Sequence, residues 1–237
     1  MTQADANDAT RRRFLGLAGA TGMVVGLGAG PAGAAAKQHA KGSEEEVSPS
    51  EDLMREHGVL DRALLIYEAC LVRGGDKDAS LLPVVAKTAD LIRRFIEAYH
   101  EKLEEQYVFP RFEAAGTLVD LVSTLRTQHQ RGRALTDEIL RAAEGGDPTA
   151  MAEGGRMSGP MRAFIRMYRP HAAREDTVLF PAFRQLVKQH EYEALGDQFE
   201  DQEHTLFGKA GFEGIVAQVA DLERTIGIYD LNQFTPS

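Results

Sequence analysis

The chain has 237 residues, 43% of them hydrophobic, which is enough to bury a core of its own. Its formal charge of −9 and the lack of a basic stripe argue against a nucleic-acid or anionic-membrane partner, because nothing would neutralise phosphates. The single cysteine, Cys70, can form neither an internal disulfide nor a thiolate cage, so any metal must be held by nitrogen and oxygen ligands. Its apolar neighbours predict that Cys70 fills space in the core.

The first 36 residues have the pattern of an export signal. Arg11 and Arg12 are followed by a short Gly-rich apolar stretch to about Gly30, and then by small residues that end at Ala36. This pattern resembles the twin-arginine signal of bacteria, with cleavage expected after Ala36. A permanent membrane span is not expected, since the apolar stretch is too short and too rich in glycine. The mature protein is therefore predicted to be periplasmic or extracellular.

A polar, charged linker is predicted over residues 37–49, followed by the first of four helical segments. Ser48 precedes Pro49 and lies three residues before Glu51, a pattern typical of a helix start with a capping box. The helix that follows carries His57 within its stripe of apolar positions. His57 is therefore expected to face inward.

Three further helical segments each carry one histidine on the apolar face. The second is predicted over about residues 81–109 and ends at Pro110, the third spans about residues 117–143, and the fourth ends before Pro181. Their inward-facing histidines are His100, His129 and His171. The predicted fold is all-α: an antiparallel four-helix bundle over residues 50–189, with a C-terminal helical extension over residues 190–237.

The chain contains an internal repeat. The pattern H-x3-E-x4-F-P-x-F starts at His100 and again at His171. The upstream histidines keep the offset, since His57 precedes His100 by 43 residues and His129 precedes His171 by 42. Two copies of a helical hairpin are therefore predicted, with the phenylalanines of the motif capping one end of the bundle. A duplicated ligand set predicts a two-fold site.

Residues four apart on a helix share a face, so each His-x3-Glu pair offers a nitrogen and an oxygen to one point. The predicted metal ligands are His57, His100, Glu104, His129, His171 and Glu175. Four imidazoles and two carboxylates suit a dinuclear centre, since a carboxylate can bridge two ions. Burying them in an apolar core would be costly without bound cations. The donors favour iron or manganese over copper, with zinc possible.

This order of histidines and glutamates resembles the hemerythrin-like, or HHE cation-binding, domain over about residues 48–189. The resemblance implies a four-helix bundle with a non-haem di-iron centre held by the six residues named above. Glu101 matches a glutamate that some members offer to iron, although a solvated helix position explains it equally well. Oxygen-carrying hemerythrins have a second histidine at the place of Arg133 and use an aspartate at the place of Asp176. Here the neighbouring Glu175 is the expected ligand, so the ligand pattern departs from that of the reversible oxygen carriers.

The extension contains one more candidate ligand, His204. Its position beside Asp197 and Glu200 favours an exposed side chain over an additional metal ligand. The apolar face of that segment is predicted to contain Leu195, Phe199 and Leu206. The last segment carries a stripe that is expected to dock on the bundle, formed by Ile215, Val219, Leu222 and Ile226.

The ligand set and the export signal together predict a protein that binds or senses oxygen, peroxide or nitric oxide at a pair of iron ions. Two alternatives remain open. One is a peroxide-decomposing oxidoreductase, for which Tyr99, Tyr107 and Tyr168 are candidate proton-transfer groups. The other is a metal store or structural zinc bundle. The sequence names no redox partner.

Overall fold

The computed structural model describes residues 47–144 and 157–236, and the predicted signal peptide and most of the linker lie outside them. Within these ranges every regular element is a helix, as predicted. The bundle consists of α1 (Pro49–Val72), α2 (residues 82–115), α3 (Val119–Glu144) and α4 (residues 158–186), and it is followed by α5 (Gln189–Phe207) and α6 (Gly211–Thr225). None of the described helices combines the length and the hydrophobicity needed to cross a bilayer.

The four bundle helices form a closed ring in which each packs against two neighbours: α1 on α2, α2 on α3, α3 on α4, and α4 on α1. Helices α2 and α3 are antiparallel, since Glu101 of α2 pairs with Arg133 of α3, whereas Glu105, one turn later in α2, pairs with His129, one turn earlier in α3. Apolar side chains from all four helices fill the centre of the ring. The interior between the helices is therefore where inward-facing polar groups must meet.

The start of α1 follows the predicted capping box. The Ser48 hydroxyl accepts the N–H of Glu51 at 3.4 Å, and the Glu51 carboxylate accepts the N–H of Ser48 at 3.1 Å. Two of the N–H groups that a helix start leaves without intrahelical partners are thereby satisfied. Near the other end of α1, Cys70 is fully buried, as predicted, and burial raises the pKa of its thiol to about 11. Cys70 is thus an unreactive part of the core.

Helices α2 and α4 change their hydrogen-bond pattern close to the repeated motif. Helix α2 is π-helical over Ile92–His100 and again over Glu104–Val108, and α4 is π-helical over Glu175–Leu179. A π turn joins residues five apart and contains one residue more than an α turn. The segments Glu104–Val108 and Glu175–Leu179 each lead directly into a Phe-Pro pair.

The prediction that Pro110 and Pro181 end their helices was wrong. Helix α2 continues over Phe109–Ala115, and α4 continues over Phe180–Leu186. A proline inside a regular α-helix removes a hydrogen bond and clashes with the preceding turn. Here each proline occupies the first turn after a π segment, where the hydrogen-bond pattern changes and its missing N–H is tolerated. Helix α2 ends instead at Gly116, which has a left-handed φ of 65°.

The extension packs along the bundle. Helix α5 contacts α1, and α6 contacts both α1 and α2. The predicted stripe of α6 is buried: Ile215, Val219, Leu222 and Ile226. Glu203 joins the two helices by accepting the N–H of Phe212 at 2.9 Å, and Arg62 of α1 holds Glu223 of α6 at 2.6 Å. Leu206, predicted on the inner face of α5, is 57% exposed, and Glu203 is buried instead.

Candidate metal centre

Six buried side chains from the four bundle helices meet at one place. They are the six predicted ligands: His57 on α1, His100 and Glu104 on α2, His129 on α3, and His171 and Glu175 on α4. None is more than 3% exposed. They form two groups that share both glutamates, the first half-site with His57 and His100 and the second half-site with His129 and His171. In each half-site, ligand atoms from all four residues lie within 4.8 Å of one another.

The Nε2 atoms of the histidines face the two glutamates. Nε2 of His57 lies 3.3 Å from Oε2 of Glu175, and Nε2 of His129 lies 3.3 Å from Oε2 of Glu104. Both of these nitrogens and all four carboxylate oxygens lack a hydrogen-bond partner among the described residues. Buried polar atoms without partners are costly and rare in native proteins. A pair of metal cations would give all of these nitrogen and oxygen atoms a partner, so the residues fit the predicted dinuclear metal centre.

The other ring nitrogen, Nδ1, of each histidine is held by a side-chain oxygen. The pairs and distances are His57 with Asp176 at 2.7 Å, His100 with Glu56 at 2.7 Å, His129 with Glu105 at 3.2 Å, and His171 with Gln128 at 2.8 Å. A histidine that donates its Nδ1–H to an oxygen presents the lone pair of Nε2 on the opposite side of the ring. These outer partners therefore orient all four imidazoles for metal binding.

The outer partners obey the same repeat as the ligands. The residue that precedes the ligand histidine of α1 or α3 binds the histidine of the following helix: Glu56 binds His100, and Gln128 binds His171. The residue that follows the ligand glutamate of α2 or α4 binds a histidine of another helix: Glu105 binds His129, and Asp176 binds His57. Glu56, Glu105 and Gln128 were not predicted in this role. The available signal was the E-H and Q-H pairs at 56–57 and 128–129 and the E-E and E-D pairs at 104–105 and 175–176. Asp176, considered as a ligand, lies at an outer position.

Two phenylalanines of the repeated motif stack on histidine rings. The ring of Phe109 lies 5.4 Å from that of His129 with an interplanar angle of 27°, and Phe180 lies 5.5 Å from His57 at 23°. Both phenylalanines are fully buried. The motif was predicted to cap the bundle, and these contacts give it a second effect: it restricts ring rotation and excludes water on one side of each half-site.

Electrostatic effects in the cluster oppose one another. Burial raises the pKa of Glu104 well above its usual range, and the neighbouring Glu175 adds to the effect. Burial lowers the pKa of His129 to about 4. Burial alone would also lower the pKa of His57, but the hydrogen bond with Asp176 and the negative charge of Glu175 outweigh it and raise that pKa to about 9. Positive charge is thus favoured between the two glutamates, where a metal would supply it.

Comparisons with known proteins agree with this geometry. The family model for the hemerythrin HHE cation binding domain matches residues 48–183, with a further match over residues 121–206. The chain belongs to this family. The further match begins on α3, as expected if the second hairpin of the HHE domain repeats the first.

Relatives of this HHE protein occur in mycobacteria. Uncharacterized proteins of Mycobacterium tuberculosis (strain ATCC 25618 / H37Rv) and Mycobacterium bovis are each 52% identical over 194 residues, which cover 82% of this chain and 76% of theirs. No solved structure matches the chain.

Glu101, a further candidate ligand of the HHE domain, has other partners. Its Oε1 accepts the hydroxyl of Tyr168 at 2.5 Å, and its Oε2 accepts Arg133 at 2.6 Å. Burial raises the pKa of Glu101 to about 8, while Arg133 and Tyr168 act in the opposite direction. Glu101 also lies near Glu105 and His129 in a group that could hold an ion. The Arg133 guanidinium already supplies positive charge to that group.

His204 lies away from the cluster. It is exposed on α5 and belongs to none of the potential cation-binding groups among the described residues. Its position agrees with the exposed alternative, and the preceding residue, Glu203, takes the inward place.

The three candidate proton-transfer tyrosines differ in their surroundings. The Tyr168 ring lies 5.2 Å from that of His171, so this tyrosine touches a ligand residue. Tyr99 donates to the carbonyl of Phe199 at 3.4 Å. Tyr107 accepts the side-chain amides of two α5 residues, Gln198 and Gln202, at 3.0 Å each. Of the three, Tyr168 is the one whose ring contacts the ring of a ligand residue.

Gly132 of α3 makes room for Tyr168, because a Cβ at position 132 would collide with the tyrosine hydroxyl. Gly132→Ala is expected to displace Tyr168 from Glu101 and to lower the free energy of unfolding by about 1–3 kcal/mol. Gly58→Ala on α1 is the control, since its Cβ meets nothing within 4 Å and it should add up to about 1 kcal/mol. Urea unfolding of the metal-free variants measures both changes. Equal stability of the two variants would contradict this packing.

Glu104 belongs to both half-sites, whereas His57 belongs to one. Glu104→Gln is therefore expected to reduce the bound metal toward zero, and His57→Ala to leave on the order of one ion per chain. Elemental analysis after loading and dialysis gives the content. Glu113→Gln, on the exposed part of α2 beside Arg126, is the matched control and should load like the parent chain. Full loading of Glu104→Gln would show that the ions bind elsewhere.

Proposed function

We propose that this chain is a non-haem di-iron protein that binds or senses oxygen, peroxide or nitric oxide outside the cytoplasm. The observation that carries the proposal is the meeting of unpartnered buried ligand atoms in two half-sites that share two glutamates. Imidazole and carboxylate donors without thiolates favour iron, with manganese or zinc as the other metals of suitable chemistry. A pair of iron ions supplies redox chemistry and open positions for small oxygen- or nitrogen-containing ligands.

The chain's own residues prepare the site for such ions. Glu104 and Glu175 bring negative charge to both half-sites, which offsets part of the charge of two cations. The outer partners of the four imidazoles fix the tautomer in which Nε2 faces the centre. Phe109 and Phe180 exclude water from one side of each half-site, which strengthens the electrostatic interactions within it.

Export completes the proposal. Arg11 and Arg12, the Gly-rich apolar stretch and the small residues up to Ala36 support transport by the twin-arginine route. That route carries folded proteins, so a metal centre could be assembled before transport.

Protein recovered from the periplasmic or extracellular fraction of a producing bacterium is expected to begin at Lys37. It should carry about two iron ions per chain and absorb in the near ultraviolet and visible, as a ferric pair does. N-terminal sequencing, metal analysis and an optical spectrum of one sample test all three points. Uncut protein confined to the cytoplasm would contradict export. Less than one iron per chain without this absorption would contradict the iron proposal, and two zinc ions would indicate a structural or storage role.

A second candidate function is the decomposition of peroxide to water and oxygen at the same centre. The contact that favours it is the Tyr168 hydroxyl on Glu101, next in sequence to the ligand His100. Disproportionation of two peroxide molecules moves protons between oxygen atoms, and a hydroxyl paired with a carboxyl group can hold and return a proton. Arg133 keeps that carboxyl group in place.

If peroxide decomposition is the function, Tyr168→Phe is expected to lower the rate of peroxide loss roughly 10²-fold while iron content stays unchanged. Tyr107→Phe is the control, because its hydroxyl contacts only the amides of Gln198 and Gln202 among the described side chains. Oxygen evolution and peroxide absorbance give the rates. A rate that survives Glu104→Ala would exclude this centre as its source.

A further inference from the structure

The two half-sites have the same ligands but different outer partners. In the first half-site, Nδ1 of His100 faces the carboxylate of Glu56 at 2.7 Å. At the equivalent place in the second half-site, Nδ1 of His171 faces the amide oxygen of Gln128 at 2.8 Å. A carboxylate that accepts the Nδ1–H makes the imidazole a stronger metal ligand and adds negative charge, whereas a neutral amide does much less. At these equivalent positions the first copy of the repeat thus has a charged residue, Glu56, and the second a neutral one, Gln128.

The second pair of outer partners differs in the same direction. Asp176, which holds His57, lies 2.7 Å from the imidazole. Glu105 lies 3.2 Å from the histidine of α3 and is shared with two cations, since it also pairs with Lys102 at 2.6 Å and with Arg133. Those cations offset the negative charge of Glu105. Glu101 also has a carboxylate oxygen within 4.8 Å of the histidine of α3, and it too pairs with Arg133. The second half-site therefore has less net negative charge behind its histidines than the first.

Further acid groups lie behind the first half-site. Asp52 and Glu203 have carboxylate oxygens within 4.8 Å of Glu56, and all three residues are buried. Glu203 comes from α5, so the extension contributes to the surroundings of His100. Arg55 lies 3.7 Å from Asp52 and offsets part of this charge. The remaining negative charge favours positive charge nearby.

The outer partners also differ in their access to solvent. Glu56 is 0% exposed, whereas Gln128 is partly exposed and lines a cleft of about 390 Å³ between α3 and α4, together with Pro170 and Met167. The partner of His171 can therefore be reached from the surface, while that of His100 cannot. The side chain of Asp176, which holds His57, is 35% exposed, so the half-sites differ consistently in charge but not in access.

From these differences we propose that the two metal positions are unequal: the first half-site binds its ion more tightly and fills first, and the second exchanges. Glu56 acts as a positioning residue through His100, and the Glu56/Gln128 difference sets the order. This proposal rests on the proposed metal centre. A single substitution of an outer partner typically changes metal affinity about 10–100-fold, so the two positions are expected to differ by at least that factor.

The test uses the purified full chain, freed of metal by a chelator and titrated with Zn²⁺ alone. Imidazole ¹⁵N signals of the four histidines report ligation directly. With the first equivalent, the signals of His57 and His100 are expected to shift, and with the second equivalent those of His129 and His171. The proposal would be overturned if the signals of all four histidines shifted in parallel from the first equivalent, or if those of His129 and His171 shifted first. If none shifts by two equivalents, the metal centre itself is wrong, which is a separate result.

Exchanging the outer partners tests the cause. The double variant Glu56→Gln with Gln128→Glu keeps the total charge of the chain. It is expected to reduce the ratio of the metal affinities of the two half-sites 10-fold or more, or to reverse the order in which they fill. Glu68→Gln with Gln130→Glu makes the same exchange on α1 and α3 away from the six ligands, at a half-buried residue paired with Arg169 and at an exposed one, and should leave the order of filling unchanged. Should the double variant fail to fold by circular dichroism, Gln128→Glu alone is expected to raise the affinity of the second half-site. An unchanged affinity ratio in the folded variant would overturn the proposal.

Discussion

The constraint on which this structure depends is the cost of burying polar atoms that have no partners. Carboxylate oxygens of Glu104 and Glu175 and the Nε2 atoms of His57 and His129 face one another in the middle of an apolar bundle. Neutral imidazoles and ionised carboxylates cannot satisfy one another here, because ionised carboxylates only accept and each imidazole already uses its Nδ1, so added protons or metal cations must supply the missing partners. Bound cations remove this cost, and the chain belongs to a family of cation-binding domains, the HHE family.

The repeat explains how a short sequence pattern produces so complete a site. Each hairpin supplies a histidine, a His-x3-Glu pair, two outer partners and a Phe-Pro-x-Phe motif, so one structural unit used twice generates both half-sites. The outer partners are adjacent in sequence to the ligands, which means that a helix that places a ligand also places the support for a ligand on its neighbour. This interlocking makes the geometry of the centre a property of the whole ring of helices.

The helical fold and the six converging residues could be predicted from the sequence. Apolar periodicity and the H-x3-E spacing depend only on residues within one helix, so they can be read without knowing how the helices pack. The ends of α2 and α4 could not, since the π segments that accommodate Pro110 and Pro181 have no simple sequence signature. Leu206 was wrongly predicted on the buried face of α5. Glu203 lies on that face instead, because its carboxylate accepts the N–H of Phe212, a contact that hydrophobic periodicity does not reveal. The roles of Glu56 and Gln128 required knowledge of which helix lies next to which.

The π segments have a consequence for protein engineering. Because Glu104–Val108 and Glu175–Leu179 each contain an extra residue per turn, the ligands upstream and the phenylalanines downstream are not in the register of a straight α-helix. A designer who transplanted this spacing onto an idealised bundle would rotate Phe109 and Phe180 away from the imidazoles by roughly a quarter of a turn or more, given about 100° per residue. The scaffold would keep its helices and lose the shield over its metals, so irregular backbone belongs to the specification of such a centre.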